Sequence, residues 1–201
     1  ETKEKLAEKM VKEIVEGIRG TNVKAGIIGE IGTSYNKWTE AEQKVFEAVV
    51  MAHKQTKKPI STHTSIGTLG HEQVEFFKKN GVDLNRVVIG HVDLTGDADY
   101  ILKMLREGVY VEFDTIGKEN YMPDRVRADI LKKIQDKGYM HKVFLSMDIT
   151  RKSQLAYKGG PGYSYLLDSF IPLLQTYGIT SESIEKMLMK NPHAFMEGQG
   201  E

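Results

Sequence analysis

Five short apolar runs alternate along the chain with amphipathic segments, and each run hands over to a polar or ionisable residue. The first, Lys24-Ala-Gly-Ile-Ile-Gly-Glu-Ile-Gly32, reads as a buried strand that delivers Glu30 at its C-terminal end. The others are Ile60-Ser-Thr-His63, Val87-Val-Ile-Gly-His91, Val109-Tyr-Val-Glu-Phe113 before Asp114, and Val143-Phe-Leu-Ser-Met147 before Asp148. Continuous apolar strands in strict alternation with helices mean a parallel sheet covered by helices. Such a chain folds either as an open doubly wound sheet or as a β/α barrel. A barrel needs eight strands, so that reading requires about three N-terminal β/α units to be missing here.

The helical segments carry their own signals. Leu6, Met10, Ile14 and Ile18 recur every four residues toward a stop at Gly20. Thr39 with Glu42 is a capping-box pattern that opens a helix through Phe46 and Val50. Asp97 is placed to cap, and Gly108 to end, a helix carrying Ile101, Leu102 and Leu105. Pro123 sits where a first-turn proline belongs. A helix from about Tyr163 to Tyr177 should kink near Pro172, and Ser181 should cap the last one. With no linker or low-complexity tract, residues 1–201 read as a single domain.

Composition narrows the function. Acidic and basic residues balance at 28 each, so no global field points to nucleic acid or to an anionic membrane. No apolar run approaches the roughly 18 residues of a membrane span. The charged N-terminus is unlike a signal peptide, which makes the cytoplasm the default location. The chain begins at Glu1 rather than Met, as expected of a processed, trimmed or partial product. With no cysteine, thiolate metal sites and cysteine nucleophiles are excluded. A phosphate loop with Lys-Ser/Thr and a Gly-x-Ser-x-Gly elbow are both missing.

What remains is imidazole and carboxylate chemistry. Glu30, His63, His91, Asp114 and Asp148 all fall at strand ends, where a β/α barrel keeps its active site. Neutral imidazole and carboxylate oxygen are the usual non-thiolate zinc ligands. The spacings of 33, 28 and 57 residues between Glu30, His63, His91 and Asp148 match one β/α unit, one unit and two units. These four are therefore the expected metal ligands. His53 reads as a surface or packing residue, His71 as a weak substrate-contact candidate, and His141 and His193 as structural.

At this point the motifs are recognisable. Ala25-Gly-Ile-Ile-Gly-Glu-Ile-Gly32, Pro59-Ile-Ser-Thr-His-Thr64, Ile89-Gly-His-Val-Asp93 and Phe113-Asp-Thr-Ile-Gly117 resemble the phosphotriesterase family. Leu145-Ser-Met-Asp-Ile-Thr-Arg151 and Asn191-Pro192 continue the match. The likeness is to the phosphotriesterase homology proteins of the amidohydrolase superfamily, and it covers nearly the whole chain. It implies a TIM (β/α)8 barrel of which this chain holds the last five β/α units, with strands 1–3 absent. It implies two divalent metal ions, usually Zn2+, whose activated hydroxide attacks an ester-type bond in a small molecule: a lactone, carboxyl ester or phosphoester. On that reading Glu30 bridges the metals, His63 and His91 bind one, and Asp148 binds the other and accepts the proton. Asp93 and Asp114 would support or relay, and Tyr121 and Arg151 would orient substrate.

Two departures qualify the likeness. Relatives often bridge with a carboxylated lysine, whereas the position beside the bridge is Gly29 here. The family's His-x-His pair is also missing, since no histidine precedes His53. The chain is thus expected to be a fragment, and the flanks of its outer strands invite pairing into a homodimer or other oligomer. Two alternatives stand beside this reading. One is a TatD-type metal-dependent deoxyribonuclease, which should carry His-Ser-Arg and Glu-Thr-Asp where this chain has Thr62-His-Thr64 and Ser146-Met-Asp148. The other is a non-catalytic truncated remnant.

Overall fold

The computed structural model describes residues 1–198, so the last three residues of the single-domain reading lie outside it. Five parallel strands pair in sequence order: β1 (Ile28–Thr33), β2 (Ile60–Thr64), β3 (Val87–Ile89), β4 (Tyr110–Phe113) and β5 (Val143–Leu145). A doubly wound sheet reverses its order at a switch point. No reversal occurs among these strands, so the sheet winds in one direction, as a barrel segment does. Right-handed crossovers then place the connecting helices on one face. The observed fold is an α/β sheet of TIM-barrel-like type.

The crossing helices are α2 (Glu40–Thr56), α3 (Gly70–Lys79), α4 (Ala98–Glu107) and α5 (Asp124–Asp136), with α1 (Lys3–Val15) packed against α2. Thr39 and Glu42 form the full capping box expected of them. Asp97 caps α4 by accepting from the Asp99 and Tyr100 amides, and Gly108 follows its last turn. The core between helices and sheet is apolar, with Ile28, Ile31, Ile60, Val87, Ile89, Val111, Val143 and Leu145 facing the helices. One corner of it is aromatic. Phe46 is fully buried, 4.8 Å from the Trp38 ring and 5.5 Å from that of Phe77.

Several boundaries differ from the sequence reading. Helix α1 stops at Val15, short of Gly20, because the Ile18 amide turns back to the Val23 carbonyl at 2.8 Å. Strand β1 begins at Ile28 and runs on to Thr33, so Glu30 lies inside it rather than at its end. Pro123 is the N-cap of α5 and not its first turn. Thr180, not Ser181, caps the helix that follows it, accepting from the Ser183 amide at 3.1 Å. The helix expected over 163–177 is a wide π-type turn, Leu166–Phe170, leading into α6 (Ile171–Thr176). The same pairing recurs after α7 (Ser181–Glu185), where a π-type turn at Lys186–Lys190 precedes α8 (Asn191–Glu197). Pro172 and Pro192 lack an amide hydrogen and crowd the preceding turn, which widens to accommodate them.

The other face of the sheet is layered. Val88, Tyr110, Phe144 and Phe195 form a small apolar plug at its lower end, with Phe195 supplied by α8. Above this plug stand Glu112 and then the strand-end polar residues. Removing the Phe46 ring should leave a cavity in the opposite, helix-side core. Phe46→Ala is expected to cost about 3–5 kcal/mol of stability, read as a lower midpoint in urea unfolding with an unchanged slope.

Candidate metal centre

Strand β1 carries an extra residue. Ile28 pairs with Ile60 and Ile31 with Thr62, so three steps on β1 oppose two on β2. That bulge lets Ile28 and Ile31 both face the helices while Glu30 turns toward the inner face. There the Glu30 Oε1 lies 3.3 Å from His63 Nδ1 and 3.3 Å from His91 Nε2. Ligand atoms of all three residues fall within 4.8 Å of one another. The two imidazole rings meet edge to face with centroids 4.5 Å apart.

Each imidazole is aimed by its second nitrogen. Asp114 accepts from His91 Nδ1 at 2.8 Å and also from the His91 amide at 3.0 Å. The double grip holds His91 at φ 57°, a left-handed conformation. Gly90 lets the backbone pass, because a Cβ there would lie 2.4 Å from the Thr62 carbonyl oxygen. On the other side Ser65 gives its hydroxyl hydrogen to the Thr33 carbonyl at 2.8 Å, so toward His63 Nε2, 3.3 Å away, it can only accept. Gln73 fixes the His63 carbonyl at 2.9 Å. Both rings thus carry their proton on the outward nitrogen. Their inner lone pairs converge on a carboxylate oxygen that brings no hydrogen either. Three lone-pair donors around one point are satisfied by a cation, and two imidazoles with one carboxylate suit a divalent ion.

Without a metal, a proton takes that place. Burial alone would lower the His91 pKa, but the hydrogen bonds to Asp114 and Glu30 and the charges of both raise it to about 10. The neighbouring His63 and His91 imidazoles hold Glu30 well below the usual carboxylate range. Burial, and next the charge of Asp114, push Glu112 up to about 8.

Not every expected residue joins the cluster. Asp148 stands at φ 42° on the wall of an adjoining cavity of about 470 Å³ and pairs with Lys118 rather than with the imidazoles. Tyr121 and Arg151 line the same cavity. Asp93 is fully buried and faces away into an ion pair with Arg127, 2.6 Å from its Nε. His53 is buried and donates from Nδ1 to the Lys58 carbonyl at 2.8 Å, a packing role. His71 meets Tyr100 edge to face, off the cavity wall, while His141 and His193 are exposed. Sequence reasoning missed Lys118 and Glu112. For Glu112 a signal existed: a charged residue inside an otherwise apolar strand. Lys118 sits in an unremarkable loop and carried none.

A one-way parallel β/α sheet with Glu30, His63 and His91 gathered on its inner face is a TIM-barrel-like scaffold, of the amidohydrolase type, that carries a candidate metal-binding triad. The phosphotriesterase family model matches residues 1–196, and the chain belongs to that family, in its phosphotriesterase homology branch. It is 52% identical over 194 residues to the phosphotriesterase homology protein of Escherichia coli, covering 96% of this chain and 66% of that protein. A crystal structure of the E. coli protein, complexed with phosphate in its active site, superposes with a TM-score of 0.95 at 51% identity, covering 98% of this chain and 68% of that one. An N-acetyltaurine hydrolase of Xenopus tropicalis is 34% identical over 97% of this chain and 59% of its own length. A lactonase from Listeria monocytogenes superposes with a TM-score of 0.90 at 33% identity, over 96% of this chain and 60% of that one. The chain spans 59–66% of the length of these curated relatives.

The charge state of His91 gives a pH signature. Its folded pKa lies above the ordinary 6.5, so its contribution is complete below that value and is lost as pH rises through about 10. The depressed Glu30 contributes above its ordinary 4.5 and loses that contribution as pH falls. Metal-free protein should therefore lose stability as pH climbs from about 6.5 to 10. Zinc must displace the same proton, so calorimetry at pH 8 in two buffers of different ionisation enthalpy should detect about one proton released per ion. Asp114→Asn removes the acceptor that aims His91 and should weaken zinc by about 10–100-fold.

Proposed function

We propose that this chain is the larger part of a binuclear, zinc-dependent hydrolase that cleaves an ester-type bond (lactone, carboxyl ester or phosphoester) in a small anionic molecule. The observation that carries this reading is the convergence of the Glu30, His63 and His91 lone pairs at the rim of a cavity of about 470 Å³. Glu30 would serve both ions, His63 and His91 would hold one, and Asp148 with an N-terminal His-x-His pair outside this chain would hold the other. Three further strands closing the barrel belong to the same proposal.

When bound, divalent ions would supply Lewis acidity and a water that ionises near neutral pH. The protein's own groups do the rest. Asp114 keeps His91 oriented. Asp148, on the cavity wall, accepts the proton released on attack and passes it outward. Lys118, whose side chain is only 10% exposed, donates to Asp148, and Arg151 stands on the same wall. Two cations beside a carboxylate favour a substrate that brings its own negative group. The phosphate held in the E. coli relative's active site agrees with that preference. The cavity volume falls within the roughly 300–1,000 Å³ of small-molecule sites.

The test is a panel of lactones, phosphotriesters, anionic N-acyl amides such as N-acetyltaurine, and DNA, each with zinc or manganese. Turnover of a lactone or ester bearing an anionic group is expected, and turnover of DNA alone would replace this reading with the nuclease one. Glu30→Ala should drop bound zinc below one ion per chain and lower kcat/KM by at least ~100-fold, given what single stabilising groups contribute. If the intact polypeptide holds less than one ion and Glu30→Ala changes nothing, the remnant reading stands instead.

A further inference from the structure

Beside the metal cluster lies a second, wholly buried polar network centred on Arg127, which the chemistry above leaves unused. Arg127 sits in the first turn of α5 and is 0% exposed. Its Nε reaches Asp93 Oδ2 at 2.6 Å, its Nη1 reaches Asp124 Oδ1 at 2.8 Å, and its Nη2 reaches Thr115 Oγ at 2.6 Å. Nη1 donates as well to the Met122 carbonyl. Asp124, held this way, accepts the Gly117 amide at 3.2 Å and the Tyr165 hydroxyl at 3.0 Å. Thr115 also donates to Asp93.

These bonds have a common target. Thr115, Gly117, Met122 and Asp124 are four anchor points along one loop, and each binds Arg127 or a carboxylate that Arg127 holds. Between the anchors stand Lys118 and Tyr121, both on the cavity wall. At the near end Thr115 follows Asp114, which aims His91. At the far side Asp93 lies two residues after His91. A burial so complete is costly for one guanidinium and two carboxylates, and stability alone does not favour it over apolar packing. Planar donors in a fixed fork are suited to holding several acceptors in one geometry.

We propose that Arg127 is a positioning residue: it fastens the 115–122 loop so that Lys118 reaches the Asp148 side of the cavity and can meet an anionic substrate group. Arg127 touches no substrate itself. The inference rests on the anionic-substrate reading of Lys118, and the test separates the two.

Full-length protein is compared with Arg127→Met, Lys118→Met and the double variant, by hydrogen exchange and by titration of the zinc-loaded form with inorganic phosphate. Arg127→Met is expected to keep its zinc. It should speed amide exchange in 115–122 at least tenfold relative to the strands, and weaken phosphate as much as Lys118→Met does. The double variant should lose no more than either single one. An Arg127→Met protein that melts earlier but keeps wild-type exchange in 115–122 and wild-type phosphate affinity overturns the proposal. If Arg127→Met does not fold, Thr115→Val and Tyr165→Phe decide, because the first removes two bonds of the network and the second one, and both leave Arg127 itself in place. Selective loosening of 115–122 supports the clamp, and its absence in both refutes it. Should Lys118→Met leave phosphate binding unchanged, the anion reading fails, while loop exchange still judges Arg127.

Discussion

Everything at the rim depends on a sheet wound in one direction. Because β1 to β5 pair in order and in parallel, every crossover repeats the same right-handed move and every strand end arrives at the same edge. Residues scattered over nearly 120 positions of sequence are thereby brought to one side of the sheet, with the crossing helices α2 to α5 on the other. The inner face is then free to be polar at its upper end, while Val88, Tyr110, Phe144 and Phe195 keep it apolar below.

Within that frame, function is set by departures from regular structure. A bulge turns Glu30 inward, and left-handed backbone at His91 and Asp148 points both side chains where an ordinary strand exit would not. Such conformations cost energy and persist where surrounding bonds over-determine them. Asp114 supplies that restraint for His91 with two hydrogen bonds to a single residue. The convergence of unprotonated lone pairs on Glu30 is a second stored cost, relieved by whichever cation is available. The Arg127 network is a third. It places charge in the interior beside the site, where ordinary packing would have used apolar side chains.

Much of the scaffold was legible from local chemistry. The Thr39–Glu42 capping box, the Asp97 cap and the Gly108 stop are properties of a few adjacent residues, and they stand where expected. Glu30, His63 and His91 were identifiable because ionisable residues in or after apolar runs break the hydrophobic pattern at the spacing of a β/α unit. Errors gathered where distant partners decide the outcome. The start of β1 depended on its register with β2, and the cap at Thr180 on one competing hydroxyl. Asp93, a support or relay candidate because it stands just beyond a strand end, is turned by a 3-10 helix to Arg127, 34 residues later, a contact that no local pattern announces.

The sequence by itself determined the α/β class, the family and three side chains that gather as candidate metal ligands, since hydrophobic period and residue type are written locally. The tertiary structure alone decided which nitrogen of each imidazole faces inward and that Asp114 rather than Asp93 aims His91. It alone also set Lys118 beside Asp148. Those outcomes turn on hydrogen-bond partners from other strands and helices, and a hydrogen bond is made or lost within a fraction of an ångström, a distance that no spacing along the chain encodes.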